Sequence, residues 1–239
     1  MGGTWRQVWL ILGREFKIDR YYLIGSLLFI VYMGFFGGLM MGQLQKQPGL
    51  SFLADMMFWI IASMIGYYFS RRIAKYIAED SYTNTLAYYR SLPIGVEALV
   101  WARIAQLLLA TLFNGILLFA IMYLSASGLR EQLDLGTYVV FALTWTGFGL
   151  LLNSLYIAME FLLRGRAYFW NSLILMAVIM LIALALHLSG VHVVASSISM
   201  SAEQGAASPA MWILLGLGAA GVCTAYVFIK RGVPRRDLA

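Results

Sequence analysis

Residues 101–125 read WARIAQLLLATLFNGILLFAIMYLS, a stretch whose sole charge is Arg103. As a helix it would extend ~37 Å, enough to cross a hydrocarbon core of ~30 Å. Five further stretches share this character: Tyr22–Gly42, Leu53–Ser70, Thr137–Met159, Tyr168–His187 and Ala210–Ile229. Across the chain 62% of residues are hydrophobic and 12% charged, against about 25% charged in a typical soluble domain. The expectation is an all-α polytopic membrane protein, with residues 1–239 forming a single transmembrane domain of six spans.

Lysine and arginine fall unevenly about those spans. Arg6, Arg14, Lys17 and Arg20 precede the first, and Arg71, Arg72, Lys75, Arg90 and Arg103 accompany the connection from second to third. Arg164 and Arg166 separate the fourth from the fifth, and Lys230, Arg231, Arg235 and Arg236 close the chain. Lys46 and Arg130 alone fall on the other side. Since cytoplasmic loops carry the excess of basic residues, both termini are expected in the cytoplasm. The formal charge of +6 then belongs beside anionic lipid headgroups and does not point to nucleic acid. Four basic and two acidic residues precede a first span too long for a signal core, so no cleavable leader is expected. Cys223 stands alone inside the last span, where it reads as a small buried residue and offers no disulfide.

The segment TWRQVWLILGREFKIDR sets Trp5, Val8, Trp9, Leu12 and Phe16 at helical spacing. Residues 1–20 are thus expected to form an amphipathic helix lying in the membrane interface. Gly34, Gly38 and Gly42 in the first span, and Gly216, Ala220 and Thr224 in the last, repeat every four residues. Such small-residue stripes read as helix-packing faces, within the chain or against a second copy. Residues 190–209, rather apolar and then polar, read as an outer-face excursion packed on protein, a short re-entrant or interfacial helix.

Between the second and third spans lies SRRIAKYIAEDSYTNTLAYYRSLPIGVEALVWARIAQ, far longer than a helical hairpin needs. Residues 71–100 should therefore have structure of their own. Glu79 and Asp80 interrupt the first part, SYTNTLAYYRSL fits a short amphipathic helix, and Pro93 ends it. Arg103 can snorkel back from the base of the third span.

This order of parts resembles the membrane subunits of type-two ABC exporters. The resemblance covers nearly the whole chain: an in-plane helix, six spans, a cytoplasmic helix after the second, and an outer excursion before the sixth. The turn YYRSLPI resembles that family's Leu-x-Ser-Leu-Pro-Ile-like element, with Arg103 where lysine is more usual, and KRGVPRRDL resembles its basic tails. The chain departs from the family's Glu-x-Glu-x-Gly-Thr-like run, offering AEDSYTNTL without the glycine. The resemblance implies a coupling helix that docks on a separate ABC ATPase subunit, with Glu79, Asp80, Thr83, Thr85, Leu86, Arg90, Leu92 and Pro93 as its contact region. It also implies a second permease subunit, identical or not, and a place in the bacterial cytoplasmic membrane among its lipids. ATP and magnesium would be held by the ATPase, so no cofactor is expected on this chain. Peptides, lipid-like compounds, antibiotics and ions are all open as cargo, the sparse charge favouring an amphipathic or apolar one.

Other chemistry is scarce. A phosphate-binding loop places glycine before its lysine, and Lys17, Lys46, Lys75 and Lys230 all lack one. LSGVH at Leu188 begins like an ABC signature but lacks the residues that follow it. His187 and His192 have no carboxylate or cysteine near them in sequence to complete a metal site. No nucleophile and base are paired within the spans. Glu160, Asn114 and Asn153 are the polar groups nearest the interior, and Glu160 is expected to pair with Arg164 one turn on. The competing class is a six-span protein without an ATPase, such as an intramembrane enzyme or an assembly factor.

Overall fold

The computed structural model describes residues 2–44 and 51–236, and every regular element among them is helical. The chain runs through α1 (Gly2–Ile18), α2 (Arg20–Leu44), α3 (Ser51–Met64), α4 (Arg71–Glu79), α5 (Ser81–Arg90) and α6 (Val96–Ser125). It continues through α7 (Ser127–Gln132), α8 (Leu135–Leu162), α9 (Gly165–Leu188), α10 (Val193–Gln204) and α11 (Pro209–Gly232). Five of these helices, α2, α6, α8, α9 and α11, are long and apolar enough to cross a membrane. The protein is therefore a multi-pass membrane protein. In hydrocarbon a helix satisfies its own backbone, which is why such runs fold this way. Their ends are set locally: Asp134 caps α8 by accepting from the backbone N–H groups of Gly136 at 3.3 Å and Thr137 at 3.1 Å, and Pro209 opens α11. Of the two basic residues read on the far side, Arg130 is on α7 and Lys46 lies outside the described residues.

The second apolar stretch departs from expectation. A continuous helix over Leu53–Ser70 is predicted, but α3 stops at Met64 after 14 residues, a length of only ~21 Å. A turn at Ile65–Gly66 and four residues without regular structure lead on to α4. The reason is tertiary. Asn114 on α6 donates to the carbonyls of Ile65 at 3.0 Å and Tyr67 at 2.8 Å. Asn153 on α8 donates to the carbonyl of Ser63 at 3.0 Å, and the Phe69 N–H donates to Ser26 Oγ on α2 at 2.7 Å. Side chains from three helices thus replace bonds that a longer α3 would have made. Gly66 admits this contact, since a Cβ there would stand 2.4 Å from Leu107 and 2.8 Å from Asn153.

Packing faces are only partly those of the sequence stripes. A Cβ at Gly34 or Gly38 would meet the backbone of α6 at 2.9 Å (Leu118) or 2.8 Å (Met122), whereas Gly42 meets nothing within 4 Å. On α11, Gly216 is open and Ala220 and Thr224 are exposed. The residues in contact are Gly218 and Gly221, which meet Gly147 and Ser154 of α8, and Gly147 packs reciprocally on the backbone of Leu214 and Leu215. Close approach is intramolecular at both seams, and at the second it runs through Gly218 and Gly221, off the Gly216, Ala220 and Thr224 stripe. Cys223 likewise is exposed, not buried.

α1 buries Val8, Ile11 and Leu12, while Trp5 and Trp9 are exposed, as suits interfacial aromatics. At the opposite end of the bundle α10 packs against α3 and α8. Asp55 of α3, 1% exposed, accepts from the backbone N–H groups of Val193 at 3.1 Å and Val194 at 2.7 Å. A carboxylate on the positive end of a helix is a favourable arrangement, and it fixes the excursion onto the bundle. Trp145 Nε1 adds a bond to Ser197 Oγ at 3.2 Å.

Candidate functional site at the basic end

Two short helices, α4 and α5, stand at the end of the bundle where most basic residues lie. Asp80 joins them in the left-handed conformation, φ 42° and ψ 49°, a backbone state that Asp tolerates better than most residues. Its Oδ1 accepts from the Thr83 N–H at 3.5 Å and from the Gly165 N–H at 2.8 Å, tying the corner to the start of α9. Asn84 Nδ2 donates to the Glu79 carbonyl at 2.6 Å. Tyr76, Tyr82 and Tyr168 pack with ring centroids 5.0–5.6 Å apart. Burial pushes the Tyr82 hydroxyl far above its ordinary pKa, with the nearby Glu160 charge adding to the effect, so the phenol stays neutral.

The inner face of α5 belongs to the core. Leu86 and Tyr89 are each 4% exposed and pack with Val8, Ile11 and Leu12 of α1, Ala98 and Leu99 of α6, and Phe161 of α8. The Tyr89 hydroxyl donates to Glu15 of α1. Arg236, beyond α11, donates to the carbonyls of Phe161 at 2.7 Å and Leu163 at 2.8 Å and to the Thr83 hydroxyl, so one guanidinium caps the end of α8 and holds α5. Its burial lowers the pKa, an effect opposed by Asp80. Arg90 donates to the Arg236 carbonyl at 3.2 Å.

The eight residues singled out from sequence thus divide. Thr83 and Leu86 face the protein; Thr85, Asp80 and Leu92 are half-buried; Glu79, Arg90 and Pro93 are exposed. Tyr88 and Asn84, not among the eight, share that exposed surface. Their position follows from period alone, since residues 84 and 88 lie opposite 82, 86 and 89 on a helix. Pro93 stands in a tight turn where the Ile94 N–H donates to the Leu92 carbonyl at 2.7 Å. A polar groove of ~340 Å³ between α1 and the pair is lined by Arg14, Glu15, Lys75, Glu79, Asn84 and Tyr88, among others.

Beneath the pair lies an ion pair that sequence spacing misses. Arg103 does not snorkel: its side chain is 14% exposed, and Nε and Nη2 donate to Glu160 Oε2 at 2.9 and 2.8 Å. Glu160 is therefore held by a residue of α6, 57 positions away, while Arg164 lies past the end of α8 in extended backbone. Tyr68, from the segment after α3, places its ring 5.7 Å from the Arg103 guanidinium. Glu160 also borders Tyr82, Leu86 and Tyr89, so the segment after α3 meets α5, α6 and α8 at this charge pair.

At the far end His187 and His192 have ring centroids 5.2 Å apart, and no cluster of three metal-binding side chains occurs among the described residues. Set against known proteins, the chain matches no family model, no curated protein and no solved structure.

Proposed function

We propose that this chain is the permease subunit of an ATP-driven ABC exporter in the bacterial cytoplasmic membrane, forming half of a translocation path with a second permease subunit. In this reading α3 and the six residues after it make a sixth crossing, both termini are cytoplasmic, and α4–α5 is the handle for a separate ATPase. ATP and magnesium would belong to that partner. The observation that carries the proposal is the mounting of α5. Its inner face is locked to α1, α6 and α8 by Leu86, Tyr89 and Arg236, while Asn84, Tyr88 and Arg90 stay exposed. A push on that edge reaches the spans as a rigid-body movement instead of being lost in a loop.

The test is purification of the chain from its native membrane in mild detergent. An ATP-hydrolysing subunit should accompany it, and the isolated chain should bind no nucleotide. Saturable ATP binding by the isolated chain overturns the division of labour.

A further inference from the structure

The non-helical segment after α3 borders a chamber. Asn114 spends both amide hydrogens on the carbonyls of Ile65 and Tyr67, which fixes the amide's sense, because a flipped amide would lose both bonds. Its Oδ1 accepts no hydrogen bond from the described residues, although Asn114 is only 4% exposed. Asn114 forms part of the wall of a cavity of ~440 Å³ between α1, α2, α6 and Tyr68, a volume in the range of small-molecule sites. Apolar side chains, Ala110 among them, make most of the remaining wall; the Ser26 hydroxyl there already donates to the Tyr22 carbonyl and accepts from the Phe69 N–H, and no Asp, Glu, Lys, Arg or His lines it. Ile24 and Phe113 at its border are 55% and 61% exposed. On a membrane protein such side chains face lipid, so the chamber opens sideways to hydrocarbon.

We infer that this chamber binds an uncharged amphiphile from the lipid phase, whose apolar body fills the cavity and whose hydroxyl or amide N–H donates to Asn114 Oδ1. A charged headgroup would be desolvated there without a counter-charge. A plain hydrocarbon would leave that acceptor unmet. An uncharged molecule with one hydrogen-bond donor meets both conditions. As a cargo site the chamber rests on the exporter proposal; as a binding site it does not.

The experiment measures binding of radiolabelled oleyl alcohol, uncharged and with a single hydroxyl, to the purified full chain in detergent. Methyl oleate, with the same chain and no donor, and oleate, with a charge, serve as competitors. Saturable binding of one molecule per chain is expected, with both competitors weaker by about tenfold or more. Ala110 lines the cavity and makes none of the hydrogen bonds of the Asn114 clasp, so Ala110→Leu, which adds bulk to the wall, should abolish binding while the melting temperature is unchanged. Equal affinity for methyl oleate, no saturable binding, or full binding by a folded Ala110→Leu variant each overturns the site. Failure of an ATPase to co-purify bears on the exporter proposal alone and leaves this measurement interpretable.

Discussion

Glu160→Leu should be among the most damaging single changes in the chain. Its carboxylate takes two hydrogen bonds, at 2.8 and 2.9 Å, from an Arg103 that is itself 14% exposed. Removing the acid leaves a guanidinium buried among aromatic rings, with Nη1 already lacking a partner. Breaking a buried pair from one side costs about 3–5 kcal/mol. For a chain of this size that corresponds to a fall of roughly 6–20 °C in melting temperature. Replacing both partners, Arg103→Met with Glu160→Leu, removes the desolvated charge as well and should return stability to within about 1 kcal/mol of the parent. The assay is thermal unfolding in detergent, followed by size-exclusion chromatography of the heated protein. If Glu160→Leu melts within about 2 °C of the parent, or the double variant is worse than either single one, the pair is not the buried junction described here.

Other substitutions separate core from surface. Leu86→Ala should destabilise by about 2–5 kcal/mol, because its side chain fills the contact of α5 with α1 and α8, whereas Tyr88→Asp should leave melting nearly unchanged. Gly147→Ala forces a methyl to within 2.6 Å of the α11 backbone and should cost about 1–3 kcal/mol, while Gly216→Ala, in open space, should be neutral or slightly stabilising. Asp134 is held below its ordinary pKa of 3.8 by the Thr137 hydroxyl and backbone N–H. A depressed folded-state pKa means that its stabilisation is complete above 3.8 and lost as pH falls through the lower folded value. The melting gap between parent and Asp134→Ala should therefore be constant near neutrality and close only in strong acid.

Much of the architecture was legible because it depends on local composition. Long apolar runs must be helical in lipid and Pro93 must end a helix, but Leu86, read as part of the ATPase contact, is a core residue at 4% exposure, and Asn84 on the exposed face was not singled out. The break after Met64 was not legible, since Ile65–Ser70 carries no charge and no proline and the polar groups that unwind it come from residues 26, 114 and 153. A hydropathy window weighs side chains and carries no record of which distant amide meets which carbonyl. Glu160 shows the same limit: spacing along one helix offers Arg164, but the partner that the fold supplies is on another. The four-residue stripes specified small residues without specifying register, so Gly34 and Gly38 meet α6 while the α11 seam runs through Gly218 and Gly221. Asp55 lay unremarked in an apolar run, and its isolation there was the available signal.

In the exporter proposal the exposed edge of α4–α5 meets an ATPase. A photo-crosslinking amino acid placed at Asn84, and as a control at Gln132 on α7, tests it in intact native membranes. An ultraviolet-dependent adduct is expected between position 84 and an ATP-hydrolysing protein, with none from position 132. Absence of any such adduct at position 84 in membranes that contain the folded chain, or an equal adduct at position 132, would contradict the proposal.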